Sequence, residues 1–523
     1  MNRAQTGYYF RKGMDPREQQ IQAMDWWDSV RKNGVKCKKI AGPTGTGKTL
    51  LADAIAKREE NAGRKISIVT GTILLQDQYK RELPEYPVLM GASNYDCVCF
   101  PGNTCAMTRQ MEQLMDTRPG GFCEDQCPYT KARSDCYASP YAIFNIMSYF
   151  FFAKWGEADR GIRKHVTDLV IVDEFQMVAS MLNSLFELVI WEDDIHIPRG
   201  TSASIVATYE LLKKRQGALS KYLKENIKEL KPGKIKVLVD HLAKIDEVSR
   251  MLRDESDLFI VQELDRLRYN KMMRCLQIRV VKPMPKVLRH FFAANEVLLM
   301  SATALDIDVR ELGFKTFDSF EVESPIPVSQ REIYVENTAL YSFKTQETAL
   351  PVILKRVEEI VDKLHPGERG IVLTTYRVAK EMRERIKNPR FVFHEQTDKN
   401  DVIDSFLKTT SPDTVAVISG QWEGLDLKDD LARFVIIPIF PVDNWTDAVV
   451  QKRVQMDQAL PVPENWYELQ AMKKVIQGSG RASRHAKDKS TIYILDSKFT
   501  RAFLKTKSSL PKFFKDAVKW GKR

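Results

Sequence analysis

Eight residues, Gly42-Pro-Thr-Gly-Thr-Gly-Lys-Thr49, constrain the fold of this chain more than any other stretch. Lys38–Ala41 before them reads as a short strand, and LLADAIAKREEN after them reads as a helix. A loop with this glycine spacing, set between strand and helix, turns backbone N–H groups toward a helix N-terminus that favours anions. The pattern predicts a nucleotide-phosphate site. Gly42, Thr44, Gly45, Thr46 and Gly47 shape the loop, Lys48 reaches the β- and γ-phosphates, and Thr49 offers a hydroxyl to Mg²⁺.

A second apolar run, 168–172, leads straight into Asp173 and Glu174. Alone, an Asp-Glu pair at a strand end is a solvated turn. Beside a phosphate loop it becomes a magnesium-holding carboxylate, Asp173, followed by one that orients or deprotonates the attacking water, Glu174. Gln477-Gly-Ser-Gly-Arg481-Ala-Ser-Arg484 supplies the remaining charge. Two arginines three apart on a helix share a face and can reach a transferring phosphate.

Strand patterns at 66–70 and 297–300, and then at 370–375, 391–393, 414–419, 434–439 and 491–495, alternate with helical ones. Such alternation predicts mostly parallel sheets covered on both faces. At 523 residues the chain is too long for one core. Two segments break the rhythm. Residues 91–136 hold six of the eight cysteines, and from about 195 to 290 the sequence reads as helical and basic, without comparable strand signals. Over 201–290 there are 20 Lys and Arg against 11 Asp and Glu, so most of the overall +11 sits there. That bias suits phosphate contacts better than a neutral helical surface does.

No apolar run approaches the roughly 18 residues of a membrane span. The opening MNRAQTGYYFRKG lacks the apolar core of a signal peptide. A cytoplasmic protein with no membrane partner is expected, with its cysteines reduced or metal-bound.

In this order the motifs resemble those of the XPD/DinG group of superfamily 2 iron–sulfur DNA helicases. Pro16-Arg17-x-Gln19 resembles the nucleotide-sensing Q motif, and Gln20 fits that register equally well. Thr70-Gly-Thr72-x-x-Leu75-Gln76-x-Gln78 is similar to motif Ia, which in the family touches the DNA backbone, and Ser301-Ala-Thr303 to motif III. Ser324-Pro325-x-Pro327 with Arg331 resembles the entry to the second motor domain. Gly420-x-Trp422-Glu423-Gly424-x-Asp426 is similar to motif V, which places Asp426 at the nucleotide, and Gln477 to Arg484 to motif VI. Motif II departs from the family's Asp-Glu-Ala-His, because this chain has Phe175-Gln176 after the carboxylates. Glutamine can hydrogen-bond but cannot become cationic.

The resemblance implies an α/β fold: two RecA-like motor domains, with an iron–sulfur cluster insertion and a helical arch-like insertion in the first. Motor domain 1 is expected at 1–90, 137–194 and 286–325, the cluster domain at 91–136, the arch-like domain at 195–285 and motor domain 2 at 326–523. Asn94-Tyr95-x-Cys97 resembles the approach to the family's first cluster ligand and Cys127-Pro128-Tyr129 its last. Cys97, Cys105, Cys123 and Cys127 make a four-thiolate set for a [4Fe–4S] cluster. Cys99 is the rival for a place, and zinc accepts the same four thiolates. Cys136 falls on a predicted helix, and Cys37 and Cys275 read as core residues. Tyr209, Tyr222 and Tyr269 can stack on bases, although helix packing is the better account of each.

The expected function is an ATP- and Mg²⁺-dependent helicase, monomeric, moving on single-stranded DNA and opening tailed or forked duplexes. The polarity, 5′ to 3′, comes from the resemblance alone. An RNA or hybrid helicase and an ATP-gated single-strand clamp are the alternatives.

Overall fold

The computed structural model describes residues 9–11, 13–43, 45–114, 123, 126–158, 167–226, 229–393, 406, 411, 413–420, 427, 429–482 and 488–523. Its first five strands are β1 (Cys37–Ala41), β2 (Ile66–Thr70), β3 (Val88–Leu89), β4 (Tyr141–Asn145) and β5 (Leu169–Asp173). Three more, β6 (Leu188–Trp191), β7 (Phe259–Arg268) and β8 (Lys271–Val280), form a separate antiparallel sheet. The chain then returns through β9 (Glu296–Ser301) and β10 (Phe317–Glu321), completing a parallel sheet of order β10-β1-β9-β5-β2-β4-β3.

The second parallel sheet comprises β11 (Ile333–Ala339), β12 (Gly370–Thr374), β13 (Phe391–Phe393), β14 (Val415–Ser419), β15 (Phe434–Ile437), β16 (Thr491–Asp496) and β17 (Val518–Trp520). Its order is β13-β14-β12-β15-β16-β11-β17. The fold is therefore two parallel-sheet α/β units, as the alternating pattern predicts.

Both sheets are buried on two faces, which is why their strands read as continuous apolar runs. Side chains alternate across each strand. Leu169 and Ile171 enter one apolar cluster of the first sheet, while Val170 and Val172 enter the other. In the second sheet Ile492 and Ile494 face one cluster and Tyr493 and Leu495 the opposite one. Each such side chain contributes about 1.5–3 kcal/mol by leaving water.

One glycine is fixed by its neighbour. Gly370 pairs with Phe434 across β12 and β15, and a Cβ at 370 would overlap the Phe434 ring. Gly370→Ala is expected to destabilise the protein by about 1–3 kcal/mol, read as a lower urea midpoint with an unchanged slope.

The helical expectation for 195–290 holds only in part. Two long helices, Ile205–Asn226 and Pro232–Asp254, do occupy it, and the second lies against the helix Cys105–Leu114 of the cysteine-rich segment. The remainder is the β7–β8 hairpin, with ten residues in each strand. Charged residues interleaved along both strands hid the alternation. The turn, Tyr269-Asn270, takes positive φ at both residues, a geometry for which tyrosine gives no signal.

Tyr269 consequently lies at a hairpin tip, 81% exposed, instead of packing in a helix. The basic bias is also partly spent within the protein. Arg268 pairs with Asp193 and Asp194, Arg274 with Glu192 and Glu263, and Arg215 with Asp194.

Charged pairs join the two units away from the site: Arg279 with Asp447 at 2.7 Å, Lys473 with Asp308 at 2.7 Å and Arg453 with Glu311 at 2.9 Å.

Candidate nucleotide site and cysteine cluster

In the first sheet β1, β9 and β5 are consecutive neighbours. Their C-terminal ends therefore present the 42–49 loop, Ser301 and Asp173 side by side at one sheet edge, where open α/β sheets bind ligands. Gly42 N–H donates to the Ser301 carbonyl at 3.0 Å, holding the loop on β9. Gly45 and Gly47 have φ near +84° and +75°, which side chains resist, and Gly47 caps the helix Lys48–Glu60. Lys48 Nζ donates to the Gly42 carbonyl at 3.3 Å, and the Thr46 hydroxyl to Pro43 at 2.8 Å. Thr49 is buried at the helix start. Thr44 lies outside the described residues.

Gln20, not Gln19, meets this loop. It is buried, and its Nε2 donates to the Gly47 carbonyl at 3.2 Å. Spacing could not separate two adjacent glutamines. The turn of the helix Glu18–Val30 decides which of them faces the loop.

Asp173 is buried at the end of β5. Its Oδ1 accepts the Glu174 N–H at 3.0 Å, and its Oδ2 accepts the Tyr79 hydroxyl at 3.0 Å. Burial, reinforced by the Glu174 carboxylate and opposed by Lys48, pushes its carboxyl up to about 6.

Glu174 takes the left-handed conformation at φ +55°, which is costly for a non-glycine residue. Two donors hold its Oε2: Gln176 Nε2 at 2.8 Å and the Ser301 hydroxyl at 2.9 Å. The departure at motif II thus leaves a hydrogen-bond donor on the second carboxylate, and the Gln176 Oε1 is buried without a partner. Gly71 leaves room for this turn, since a Cβ there would press on Met177 Sδ at 2.8 Å and Glu174 Cβ at 3.2 Å.

These groups line a cleft of about 870 Å³ between the two sheets. The opposite wall comes from the C-terminal end of the helix Trp466–Ser479 and the bend after it: Gln477, Ser479 and Arg481 line the cleft with Lys48, Asp173 and Glu174, and Arg481 lies beyond the helix rather than on its face as expected. Arg331 also borders the cleft, but its Nε donates to Ile326 at 2.9 Å and its Nη1 to Phe513, so it holds backbone. Asp426 and Arg484 lie outside the described residues.

The four predicted cysteines also converge. Cys97, Cys105, Cys123 and Cys127 are buried together beneath Tyr95, Phe100 and Tyr129, whereas Cys99 is exposed. Cys136 packs in the main core of the first sheet, Cys37 is buried there too, and Cys275 is buried on β8. The thiols meet in pairs, Cys97 with Cys123 at 3.6 Å and Cys105 with Cys127 at 3.9 Å. Among the described residues no side-chain group forms a ready cage around one metal ion. The donor set nevertheless fits a group that binds thiolates: four soft ligands, buried, on a segment with little apolar content of its own.

Comparison with known proteins agrees with this geometry. A helicase C-terminal domain model matches 358–517, and a model of the type III restriction enzyme res subunit matches 13–99. A solved XPD helicase superposes over 97% of this chain and 100% of its own, with a TM-score of 0.64 at 18% identity. The chain has the fold of the XPD helicases, and its residues 358–517 match a helicase C-terminal domain. Xpd4 of S. tokodaii superposes on this chain with a TM-score of 0.58 at 12% identity, over 97% of this chain and 100% of that one. Among curated relatives, the ATP-dependent DNA helicase CHL1 of Saccharomyces cerevisiae is 25% identical over 231 residues, 38% of this chain and 27% of that protein. The chl-1 helicase of Caenorhabditis elegans is 31% identical over 186 residues, 32% of this chain and 22% of that protein. The matches thus span about a quarter of these relatives' length. Among the described residues no helix is long and apolar enough to cross a membrane.

Proposed function

We propose that this protein is an ATP-dependent DNA helicase that translocates 5′ to 3′ on single-stranded DNA and opens tailed or forked duplexes. The observation that carries the reading is the cleft, where Lys48, Thr49, Asp173 and Glu174 of one α/β unit face Gln477 and Arg481 of the other. A nucleotide bridging both walls draws the units together, and its hydrolysis releases them. Alternating grip on a strand laid across both units then becomes movement.

Within the cleft each side chain has one task. Lys48 neutralises the β- and γ-phosphates. Thr49 and Asp173 hold Mg²⁺, which supplies charge to the transferring phosphate. Glu174, held by Gln176 and Ser301, orients the attacking water. Arg481 stabilises the charge that develops as the bond breaks, with Arg484 and Asp426 assigned to the same site by the motif resemblance. The segments 1–90, 137–194 and 286–325 make up motor domain 1, and 326–523 motor domain 2. Residues 91–136 and 195–285 form the two insertions, and the protein works as a cytoplasmic monomer.

Arg481→Ala tests the two-walled site. It is expected to lower kcat for DNA-stimulated ATP hydrolysis by about 10³-fold, with little change in nucleotide affinity. An unchanged kcat would remove the second wall from the mechanism.

The four thiolates Cys97, Cys105, Cys123 and Cys127 hold a [4Fe–4S] cluster in this reading, which closes a segment too small for a core. Zinc accepts the same four thiolates and is the second reading of the set.

A further inference from the structure

Tyr79 belongs to none of the motifs, yet it touches the metal end of the nucleotide site. It lies on the helix Ile73–Glu82, whose neighbouring side chains Leu74, Leu75, Gln78 and Arg81 border the cleft. Its ring is wholly buried among Ile68, Ile143 and Ile171 in the first sheet's core. A buried phenol needs a partner for its hydroxyl, and here the partner is a group assigned to magnesium. The hydroxyl donates to Asp173 Oδ2 at 3.0 Å.

We infer that Tyr79 is a positioning residue, whose hydroxyl fixes the orientation in which the Asp173 carboxylate receives Mg²⁺. The inference rests on the proposed ATPase reading and deepens it. With Oδ1 held by the Glu174 N–H and Oδ2 by Tyr79, the Asp173 carboxylate has one orientation and keeps its remaining lone pairs for a cation. A ligand oriented in this way loses no freedom when the metal arrives, and groups that orient metal ligands commonly change metal affinity by about 10–100-fold. The arrangement also ties the helix bearing the motif Ia residues to the metal end of the site through a single hydroxyl. Sequence gave no hint of it, because a tyrosine inside an amphipathic helix reads as packing.

The test is a Mg²⁺ titration of ADP binding, followed with a fluorescent ADP analogue, in the full chain and in Tyr79→Phe. A parallel arm holds EDTA in excess, and thermal melting is recorded for both proteins. Phenylalanine keeps the ring and removes only the hydroxyl. The expected result is a Mg²⁺ midpoint raised about tenfold, with metal-free ADP binding and the melting temperature close to those of the parent. Tyr79→Leu, which gives up the ring as well, is expected to shift the midpoint equally while melting lower. A parent-like Mg²⁺ midpoint in either folded variant would mean that Tyr79 only packs, and would overturn the inference while leaving the ATPase reading intact. A parent protein whose ADP binding ignores Mg²⁺ would overturn both.

Discussion

Lys48→Ala is expected to abolish duplex opening and to lower ATP hydrolysis by about 10²–10³-fold, the usual loss when one preorganised charge is removed from a transferring group. The residue begins the helix Lys48–Glu60 at the mouth of the cleft, and among the described residues its ammonium donates to the Gly42 carbonyl alone, at 3.3 Å. Little of the fold depends on that contact, so the melting temperature should move by no more than a few degrees. Single-strand binding without nucleotide should persist, since the lysine faces the phosphate loop. Steady-state hydrolysis with and without DNA, beside a melting curve, checks the prediction. An unfolded variant would show that Lys48 is structural, and a fully active one would remove the phosphate loop from the account.

The cysteine set gives the second large effect. Cys105→Ser or Cys127→Ser is expected to release the bound metal and expose 91–136 to proteolysis. Four buried thiols are the principal apolar contacts of that segment, and metal binding is folding free energy in such small units. Duplex opening should be lost, while ATP hydrolysis falls by much less, because the phosphate site belongs to the first sheet and not to this segment. Cys99→Ser is the control: its side chain is exposed, and the metal should stay. Metal content separates the two readings of the site. About four irons with about four sulfides per chain indicate the cluster, whereas about one zinc indicates the single-ion centre. Protein free of both, with a protease-resistant 91–136 segment, would contradict either reading.

What sequence made legible was whatever chemistry restricts to few residue types. A phosphate loop needs glycines and a lysine at fixed spacing, so residues 42–49 announced both the fold class and one wall of the cleft. The apolar strands were legible because parallel sheets bury both faces, and Asp173 because its strand is one of them. The four cysteines were legible as a set, and the structure buries those four together, with Cys99 exposed beside Cys123. Tertiary contacts decided the rest. The choice between Gln19 and Gln20 depended on which side of a helix meets Gly47. Short strands such as β3 and β17 carry too few residues for a pattern, and β7 and β8 were masked by their charges. Gln176 looked like a loss at motif II, but its amide holds Glu174, a role no spacing could reveal. Tyr79 was silent for the same reason.

The cleft is proposed to drive movement along a single strand in one direction. Protein purified without oxygen, mixed with ATP, Mg²⁺ and a labelled duplex bearing either a 5′ or a 3′ single-stranded tail, tests it most directly. The account predicts that only the 5′-tailed duplex opens, and that it stays closed with Lys48→Ala. Opening from the 3′ tail alone would contradict the proposed direction. ATP hydrolysis stimulated by DNA, with neither duplex opened, would contradict the motor itself and leave a clamp that ATP merely resets.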